Sequence, residues 1–270
     1  MQNLTLAILQ TNLEWEAPDV NRRHFDQKLA AIDTAVDLVV LPEMFTTGFT
    51  MNPQAIAEPM EGESMGWMHE KASDLSCVVT GSLVIQEGGH YYNRLVWMRP
   101  DGSYACYDKK HLFSYAGENE NYSPGKSKLI VDLKGWKIMP MICYDLRFPV
   151  WCRNRYDEEM GFEYDCIVYV ANWPAGRSHA WRILLMARAI ENLSYVVGVN
   201  RIGSDERGID YSGDSAVIDP LGENLSNMLP HADQAEVVTL ARCPLDSHRD
   251  RFRAWVDWDG FTIPPHPSQP

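Results

Sequence analysis

Short apolar runs, rich in branched and aromatic residues, alternate along the chain with segments that carry apolar residues at helical spacing. Continuous apolar runs are typical of strands buried on both faces, and such strands need helices to cover their sheet. In chain order the runs are LTLAILQ, DLVVLPE, CVVTGSLVI, YYNRLVWMR, WKIMPMICY, CIVYVAN, YVVGVNR, SGDSAVIDPLGE and AEVVTLAR. This alternation restricts the chain to the α/β class or the mixed α+β class.

Four segments between these runs carry a helical pattern. Helices are predicted over residues 20–34, 64–75, 150–160 and 178–192. In the first of them, Phe25, Leu29 and Ile32 would form one apolar face, and Asp19 would be the N-cap. Helices in these places would connect successive strands and cover at least one face of the sheet.

Length and charge narrow the class of function. A chain of 270 residues is near the upper size for one hydrophobic core, so a single domain over residues 1–270 is expected. The 24 Lys and Arg against 37 Asp and Glu give a net charge of −13, which repels phosphates at long range. We therefore expect neither a nucleic-acid partner nor a membrane partner.

The Pro-rich end IPPHPSQP indicates that residues 251–270 form a tail, on the surface or at a subunit interface.

Cysteine usage and the absence of sorting or cofactor motifs indicate the location of the protein and its need for cofactors. The six cysteines are scattered without a CxxC pair, unlike those of a disulfide-rich secreted domain. We see no secretory signal and no apolar run long enough to span a bilayer, so a cytoplasmic location is expected. The chain has no His pair at i, i+4, no P-loop and no GxGxxG motif. We therefore expect no metal and no cofactor.

Three reactive side chains stand where strand-like runs stop. Glu43 lies in VVLPEMF, Lys109 in YDKKHLF and Cys143 in MICYDLRFP. At strand ends of α/β sheets, loops can reach a ligand while the sheet holds them rigidly. A carboxyl, an ammonium and a thiol that converge there would form a catalytic set.

These residue types suit attack by a thiolate on a carbonyl or nitrile carbon. A thiol is mostly protonated at neutral pH, and a partly desolvated carboxylate at Glu43 could take the proton of Cys143. The ammonium of Lys109 would stabilise the negative charge that develops on the attacked group. The backbone N–H of Tyr144, where the chain turns, is expected to be a second donor to that charge.

Each of these residues also has a structural interpretation. A cysteine after an apolar strand is usually a small core residue, and we keep that interpretation for the other five cysteines. Glu43 could cap the segment that follows Pro42, and Lys109 and Lys110 could be a solvated pair. The joint occurrence of all three groups in specific contexts favours the catalytic interpretation.

The chain resembles the nitrilase superfamily of carbon–nitrogen hydrolases, in particular its omega-amidase branch. Four segments resemble the family's signature blocks, in the family's order: LPEMFTTGF, YDKKHLF, CYDLRFP and ANWP. The resemblance extends over nearly the full length, from LAILQTN to GDSAVIDPLGE. It implies a four-layer α-β-β-α sandwich and a Glu-Lys-Cys triad at Glu43, Lys109 and Cys143.

The same resemblance ranks the neighbouring candidates. The family pattern of Lys, any residue, then His-Leu-Phe implies Lys109 as the catalytic lysine, with Lys110 in the variable place. Many members carry a second glutamate that orients the lysine. Its spacing from the following Pro-Gly turn favours Glu118, with Glu120 as the alternative. The resemblance implies no base role for His111, which we expect to pack or to form hydrogen bonds.

Two arginines are candidates for binding a substrate carboxylate. The planar fork of a guanidinium group fits a carboxylate, and Arg147 and Arg177 lie close in sequence to the motifs. The alternative for Arg147 is a structural ion pair with Asp145 or another carboxylate.

Aromatic residues near the motifs are candidates to line the pocket. Trp173, Phe49 and Tyr115 are expected there, although core packing is the alternative for each. A further aromatic set recurs at about helical spacing in the tail and is predicted to bury a helix or a subunit contact. Its members are Phe252, Trp255 and Trp258.

The omega-amidase resemblance implies hydrolysis of the terminal amide of a small 2-oxo acid, with a thioester on Cys143 and release of ammonia. 2-Oxoglutaramate and 2-oxosuccinamate would be substrates. A nitrilase or an N-carbamoyl amidase would use the same triad, and a catalytically inactive binding relative is a further alternative. By analogy with family members, a homodimer is expected, and the other partner would be the small-molecule amide.

Overall fold

The computed structural model describes residues 2–263. Its strands are β1 (Leu4–Gln10), β2 (Leu38–Val40), β3 (Val78–Glu87), β4 (His90–Met98), β5 (Tyr104–Asp108), β6 (Val131–Leu133), β7 (Trp136–Ile142), β8 (Tyr156–Asp157), β9 (Gly161–Phe162), β10 (Cys166–Ala171), β11 (Tyr195–Asn200), β12 (Ile202–Ser204), β13 (Asp210–Ser212), β14 (Ala216–Ile218) and β15 (Gln234–Leu240). Its α-helices are α1 (Pro18–Ala30), α2 (Pro53–Ile56), α3 (Glu63–Leu75), α4 (Glu118–Asn121), α5 (Pro149–Cys152), α6 (Ser178–Asn192) and α7 (Arg242–Arg251). Short 3₁₀ helices cover Ser114–Ala116, Cys143–Arg147, Ala175–Arg177 and Ala254–Asp257. Between residues 2 and 263, no helix has the length and apolar character needed to cross a bilayer.

Two mixed sheets contain most of the strands. The larger sheet has the order β15-β1-β2-β3-β4-β5, in which β1, β2 and β3 are parallel and the other pairings are antiparallel. The second sheet has the order β14-β11-β10-β7-β6, with β7, β10 and β11 parallel. The hairpins β8–β9 and β12–β13 lie outside both sheets.

Alternate side chains of β1 reveal the layers on the larger sheet. Leu6 and Ile8 pack in a buried cluster that includes residues of the second sheet. Ala7 and Leu9 point to the opposite face, because side chains alternate along a strand, and join the cluster that contains the buried faces of α1 and α3. The larger sheet is therefore covered by helices on one face and by the second sheet on the other.

Helix α6 covers the second sheet. Gly198 of β11 lies so close to this helix that a Cβ there would be 2.6 Å from the side chain of Leu185 and 2.8 Å from that of Trp181. The arrangement is thus α-β-β-α in four layers, and the fold class predicted from the sequence is confirmed.

Helices α3 and α6 match their predicted segments closely, but α1 begins and ends earlier than predicted. Pro18 occupies the first helical position, where its missing N–H is not needed and its fixed φ suits the helix. Ala17 is the N-cap, so Asp19 does not cap the helix. Asp19 lies in the first turn, where a negative charge interacts favourably with the helix dipole.

The helix predicted over residues 150–160 is wrong. Helix α5 ends at Cys152, and the chain continues into the β8–β9 hairpin. The buried side chain of Asn154 donates hydrogen bonds to the carbonyl oxygens of Tyr164 and Asn192, both at 3.0 Å. These distant partners hold the backbone in an irregular conformation, which a local apolar pattern does not reveal.

The described part of the tail packs on the protein's own β8–β9 hairpin. The ring centroid of Trp255 lies 3.8 Å from that of Tyr156, and the ring of Trp258 lies 6.0 Å from that of Phe162. These tail aromatics therefore bury the hairpin instead of one face of a continuous helix. Residues 264–270 lie outside the described residues, so the subunit contact expected of the tail stays a prediction.

Candidate active site

The three strand-end groups lie together at one end of the two sheets. Glu43 lies beyond β2, Lys109 directly follows β5 of the same sheet, and Cys143 directly follows β7 of the other sheet. The side chains of Glu43 and Lys109 are fully buried, and Cys143 is 8% exposed. Because the two sheets pack face to face, their strand ends bring a carboxyl, an ammonium and a thiol into one site.

The ammonium of Lys109 lies between two carboxylates. Its Nζ is 2.8 Å from Oε1 of Glu43, and 3.0 and 2.9 Å from the two carboxylate oxygens of Glu118. Burial lowers the pKa of Lys109, but the charges of Glu118 and Glu43 outweigh it and raise that pKa above its ordinary value. Lys109 is therefore charged at neutral pH, which is the form that stabilises an oxyanion.

The structure brings Glu118 to Lys109 and leaves Glu120 on the surface. The Glu118 carboxylate also accepts a hydrogen bond of 2.6 Å from the backbone N–H of Phe113. Burial raises the pKa of Glu118, and the charge of Lys109 opposes that increase. The second lysine, Lys110, lies elsewhere, with its ammonium 5.5 Å from the ring centroid of Trp151.

Cys143 lies at a sharp turn from β7 into a 3₁₀ helix. Its φ of 42° is in the left-handed region, which is strained for a residue other than glycine. Burial and then the charge of Glu43 raise the pKa of the Cys143 thiol well above its ordinary value, while Lys109 opposes the increase. The resting group is thus a neutral thiol close to a carboxylate. Tyr144 follows in the first turn of the 3₁₀ helix, where backbone N–H groups have no acceptor within the helix.

Cys143, Lys109 and Tyr144 help to line a cavity that contains ≈ 550 Å³ of empty space, including its open mouth. Aromatic side chains form part of the wall, and several guanidinium groups surround the space. Within residues 2–263, no group of three or more His, Cys, Asp and Glu side chains is arranged to hold a metal ion.

Both predicted arginines line the cavity, and each packs on an aromatic ring. The guanidinium carbon of Arg147 lies 4.7 Å from the ring centroid of Trp173, and that of Arg177 lies 5.3 Å from the ring of Phe113. Sequence reasoning misses a third one, Arg207, which lines the cavity from the loop between β12 and β13. The guanidinium groups are held by stacking, which leaves their donors available to a ligand.

The ion pair suggested between Arg147 and Asp145 does not form. Asp145 is fully buried and accepts hydrogen bonds from Tyr107 and His111. The ring of His111 also stacks on Phe148, with centroids 3.7 Å apart, so the packing and hydrogen-bonding role expected of His111 is confirmed.

Trp173 and Phe49 line the cavity, whereas Tyr115 does not. The side chain of Tyr115 is 86% exposed, and its ring lies 5.7 Å from that of Phe113. The short 3₁₀ helix at residues 114–116 turns the chain there, so Phe113 takes the place in the wall that was expected for Tyr115.

A family model described as "Carbon-nitrogen hydrolase" matches residues 5–249. The chain belongs to this family. "Omega-amidase YafV" of Escherichia coli (strain K12) is 43% identical over 263 residues, which are 97% of this chain and 100% of the relative. "2-oxoglutaramate amidase" of Bacillus subtilis (strain 168) is 30% identical over 225 residues, which are 82% of this chain and 85% of the relative.

Solved structures agree with this membership. XC1258 from Xanthomonas campestris, a CN-hydrolase superfamily protein with an arsenic adduct in its active site, is 41% identical with a TM-score of 0.95. The match covers 98% of this carbon–nitrogen hydrolase and 100% of XC1258. Nit3 of Saccharomyces cerevisiae, a member of branch 10 of the nitrilase superfamily, is 22% identical, matches 93% of this chain and 94% of its own with a TM-score of 0.81, and shares the fold. Membership of the omega-amidase branch, predicted from the four motifs, is confirmed.

Two asparagines of this carbon–nitrogen hydrolase hold the glutamates, and sequence reasoning misses both. Asn93 of β4 donates hydrogen bonds to Oε1 of Glu43 (2.8 Å) and of Glu118 (3.2 Å). The backbone N–H of Asn172 donates to Oε2 of Glu43 at 2.7 Å, and its side-chain amide donates to the Glu43 carbonyl at 2.6 Å. The available signal is a polar residue that interrupts or directly follows an apolar strand, in YYNRLV and in ANWP.

The side-chain oxygen of Asn172 is buried and has no hydrogen-bond partner among the described residues, although Asn172 lines the cavity. The amide nitrogen faces two oxygens of Glu43, at 2.6 and 3.5 Å, which fixes the orientation of the amide group. Such an unpaired acceptor is an exception, because buried polar atoms are usually hydrogen-bonded.

Proposed function

We propose that this carbon–nitrogen hydrolase removes the terminal amide of small 2-oxo dicarboxylic acid monoamides, such as 2-oxoglutaramate and 2-oxosuccinamate. The observation that carries the proposal is the position of Cys143 and Lys109 at a small cavity surrounded by guanidinium groups, with the Glu43 carboxylate 2.8 Å from the Lys109 ammonium. The names of the relatives, omega-amidase and 2-oxoglutaramate amidase, support the same substrate class.

In the first half of the reaction, Glu43 accepts the proton of the Cys143 thiol as the sulfur adds to the amide carbon. The negative charge that forms on the amide oxygen is stabilised by the Lys109 ammonium and by the backbone N–H of Tyr144. Glu43 then gives its proton to the amide nitrogen, the C–N bond breaks and ammonia leaves. The acyl group remains on Cys143 as a thioester.

In the second half, Glu43 takes a proton from water, and the hydroxide adds to the thioester carbon. Lys109 and the Tyr144 N–H stabilise the oxyanion again. The C–S bond then breaks, Glu43 returns the proton to the sulfur, and the dicarboxylic acid is released. Glu118 and Asn93 act by positioning, because they hold the ammonium and the carboxylate through hydrogen bonds.

The guanidinium groups account for a preference for acidic substrates. A net charge of −13 repels a carboxylate at long range, so binding requires local cations. Arg147 and Arg177 supply such cations at the cavity wall, each stacked on an aromatic ring. Arg207 adds a third from the β12–β13 loop.

Product analysis on a matched panel tests the proposal. The purified protein is incubated separately with 2-oxoglutaramate, with the nitrile of the same acid and with an N-carbamoyl amino acid, and ammonia and carbon dioxide are measured. Ammonia from the amide alone is the expected result. Faster turnover of the nitrile supports a nitrilase instead, and release of carbon dioxide with ammonia supports an N-carbamoyl amidase. Failure of all three substrates, with a folded protein, supports an inactive binding relative.

The proposal includes a homodimer. Helix α6 exposes Ile183, Met186 and Ile190 on one side at helical spacing, and Leu221 is exposed as well. Such an apolar face favours a second copy of the chain. Light scattering on a sizing column is expected to give the dimer mass for the wild type and the monomer mass for Ile190→Glu.

The proposal also places one catalytic domain in the cytoplasm, without nucleic-acid or membrane partners. All six cysteines lie within the described residues and are free thiols, which suits a reducing compartment and a thiol nucleophile. The charge of −13 favours small-molecule substrates over phosphate-rich partners.

A further inference from the structure

Asp145 connects the two strand ends that carry Lys109 and Cys143. It lies two residues after the cysteine, and its carboxylate is fully buried. Its hydrogen-bond donors lie on both sides of Lys109 along the chain, at Tyr107 and His111. A further donor, the backbone N–H of Ile142, directly precedes Cys143.

The two carboxylate oxygens divide these bonds between them. Oδ1 of Asp145 accepts from the backbone N–H and from Nδ1 of His111, at 3.0 and 2.7 Å. Oδ2 accepts from the hydroxyl of Tyr107 at 2.8 Å and from the N–H of Ile142 at 3.2 Å. One buried carboxylate therefore joins the end of β5, in the larger sheet, to the turn after β7, in the second sheet.

We infer that Asp145 is a positioning residue, which sets the place of the Lys109 ammonium relative to the Cys143 sulfur. The inference rests on the proposed function, because that geometry matters only if the two groups act on one substrate. Asp145 touches neither the cavity nor the reacting atoms. It acts through the backbone on either side of Lys109 and through the turn that presents Cys143.

The hydrogen bonds from Tyr107, His111 and Ile142 to Asp145 form a clamp between the two strand ends. The strained backbone of Cys143 explains why this clamp is needed. A residue with φ of 42° keeps that conformation only where the surroundings hold it. The bond from the Ile142 N–H to Asp145 holds the entry to this turn. The bonds from Tyr107 and His111 fix the lysine strand to the same carboxylate, so the two reactive groups cannot shift independently.

Asp145→Asn is the most informative change, because it keeps the size of the side chain and removes one acceptor atom. The amide can turn either way, but in each orientation its NH₂ group faces a backbone N–H, that of His111 or that of Ile142. One side of the clamp is then lost whichever way the amide turns.

The experiment compares kcat and KM for 2-oxoglutaramate. Each kcat is divided by the fraction of protein molecules whose Cys143 thiol can be titrated, and the quotient is the normalised kcat. Asp145→Asn is expected to lower kcat by about 10²-fold, because a displacement of about 1 Å in a catalytic group has that effect. KM is expected to change by less than about threefold, because the guanidinium groups of the cavity are untouched. A purely structural role would lower the titratable fraction and leave the normalised kcat unchanged.

Asp165→Asn is the matched control. Asp165 is also a buried carboxylate with several donors, among them Arg249 at 2.5 Å and Arg242 at 2.8 Å. It precedes β10, whereas Asn172 follows that strand at the end where the site lies. Asp165→Asn is expected to lower the midpoint of thermal unfolding and to keep the normalised kcat within about twofold of wild type.

The outcomes separate this inference from the proposed function. If wild type does not hydrolyse the amide, the proposed function is wrong. If wild type is active and Asp145→Asn keeps its normalised kcat, or changes KM alone, the inference that Asp145 is a positioning residue is wrong. If Asp145→Asn does not fold, Tyr107→Phe decides, because it keeps the buried ring and removes the hydroxyl that donates to Asp145. The same hydroxyl accepts hydrogen bonds from Trp151 and from the backbone N–H of Lys110, and these are lost as well. Its kcat is expected to fall by roughly fivefold with KM unchanged, and an unchanged kcat overturns the inference.

Discussion

Glu43 and Lys109 form a fully buried ion pair, with 2.8 Å between Oε1 and Nζ, although 66 residues separate them in the sequence. Such a pair depends on both partners, because removal of either leaves an uncompensated charge in the interior. The charges of both residues also act on the Cys143 thiol. A change at any one of the three residues therefore alters the electrostatics of the other two.

Glu43→Gln is expected to slow hydrolysis strongly and, at the same time, to lower the pKa of the Cys143 thiol. Hydrolysis falls by about 10²–10⁴-fold, because the general base is lost. The thiol pKa falls because the Glu43 charge is one of the causes that raise it. Alkylation of Cys143 by iodoacetamide, followed by intact mass over a range of pH, should therefore shift to lower pH. An unshifted profile would mean that the carboxylate does not act on the sulfur.

Glu118→Gln is expected to change how stability depends on pH. The pKa of Glu118 is raised in the folded protein, so its contribution to stability is complete below the unfolded pKa and is lost as pH rises through the folded pKa. Glu118→Gln has no carboxyl that ionises at this position, so this loss of stability with rising pH is absent. Its free energy of unfolding relative to wild type should increase as pH rises above about 4.3, the ordinary pKa of glutamate.

Urea unfolding of both proteins at a series of pH values measures this difference. Glu120→Gln, a change at an exposed side chain two residues away, is the control. A difference between Glu118→Gln and wild type that stays constant with pH contradicts the interpretation.

Arg147→Ala and Arg177→Ala are expected to raise KM for 2-oxoglutaramate by roughly 10- to 100-fold each, the range for loss of a charged hydrogen bond. An uncharged amide of similar size should be affected less, because it has no carboxylate. Arg182→Ala is the control, since Arg182 lies on α6, is half exposed and pairs with Asp214 at 3.4 Å. Unchanged KM values for both cavity variants would mean that another group, such as Arg207, binds the carboxylate.

Gly125→Ala is expected to reduce stability and activity together. The N–H of Gly125 donates to the carbonyl of Lys109 at 2.9 Å, and a Cβ at this position would lie 2.0 Å from the carbonyl oxygen of Asp108. We expect a loss of about 1–3 kcal/mol in the free energy of unfolding, as for other overpacked sites. Gly66→Ala, in α3 with no atom within 4 Å of the new Cβ, should instead stabilise by about 0.4–1 kcal/mol. Equal effects of the two changes would contradict this argument.

The fold and the three strand-end residues could be predicted because their signals are local. A buried strand is an apolar run, and Cys143 is the first residue after the strand β7 that such a run forms. Lys109 follows β5, whose sequence YACYD is not a continuous apolar run, so the YDKKHLF motif carried its prediction. Glu43 follows another run after a short gap. The family motifs then assigned roles that the residues alone left open, such as the choice between Lys109 and Lys110.

The remaining features depend on contacts between distant segments. The side-chain bonds of Asn154 to positions 10 and 38 residues away replace a predicted helix with a hairpin. The position of Arg207 at the cavity depends on a loop whose backbone N–H groups bond to Asp205. Phe113 lines the cavity in place of the predicted Tyr115 because of a single 3₁₀ turn. None of these contacts leaves a periodic pattern in the sequence.

The acyl-enzyme is the central claim of the proposed mechanism, and its capture is the most direct test. The protein is mixed with 2-oxoglutaramate, quenched in acid within the first turnovers, digested and analysed by mass spectrometry. The proposal predicts the mass of the 2-oxo acyl group on the peptide that carries Cys143, and no such mass in Cys143→Ala. Release of ammonia without an adduct on Cys143, or with the adduct on another cysteine, would contradict it.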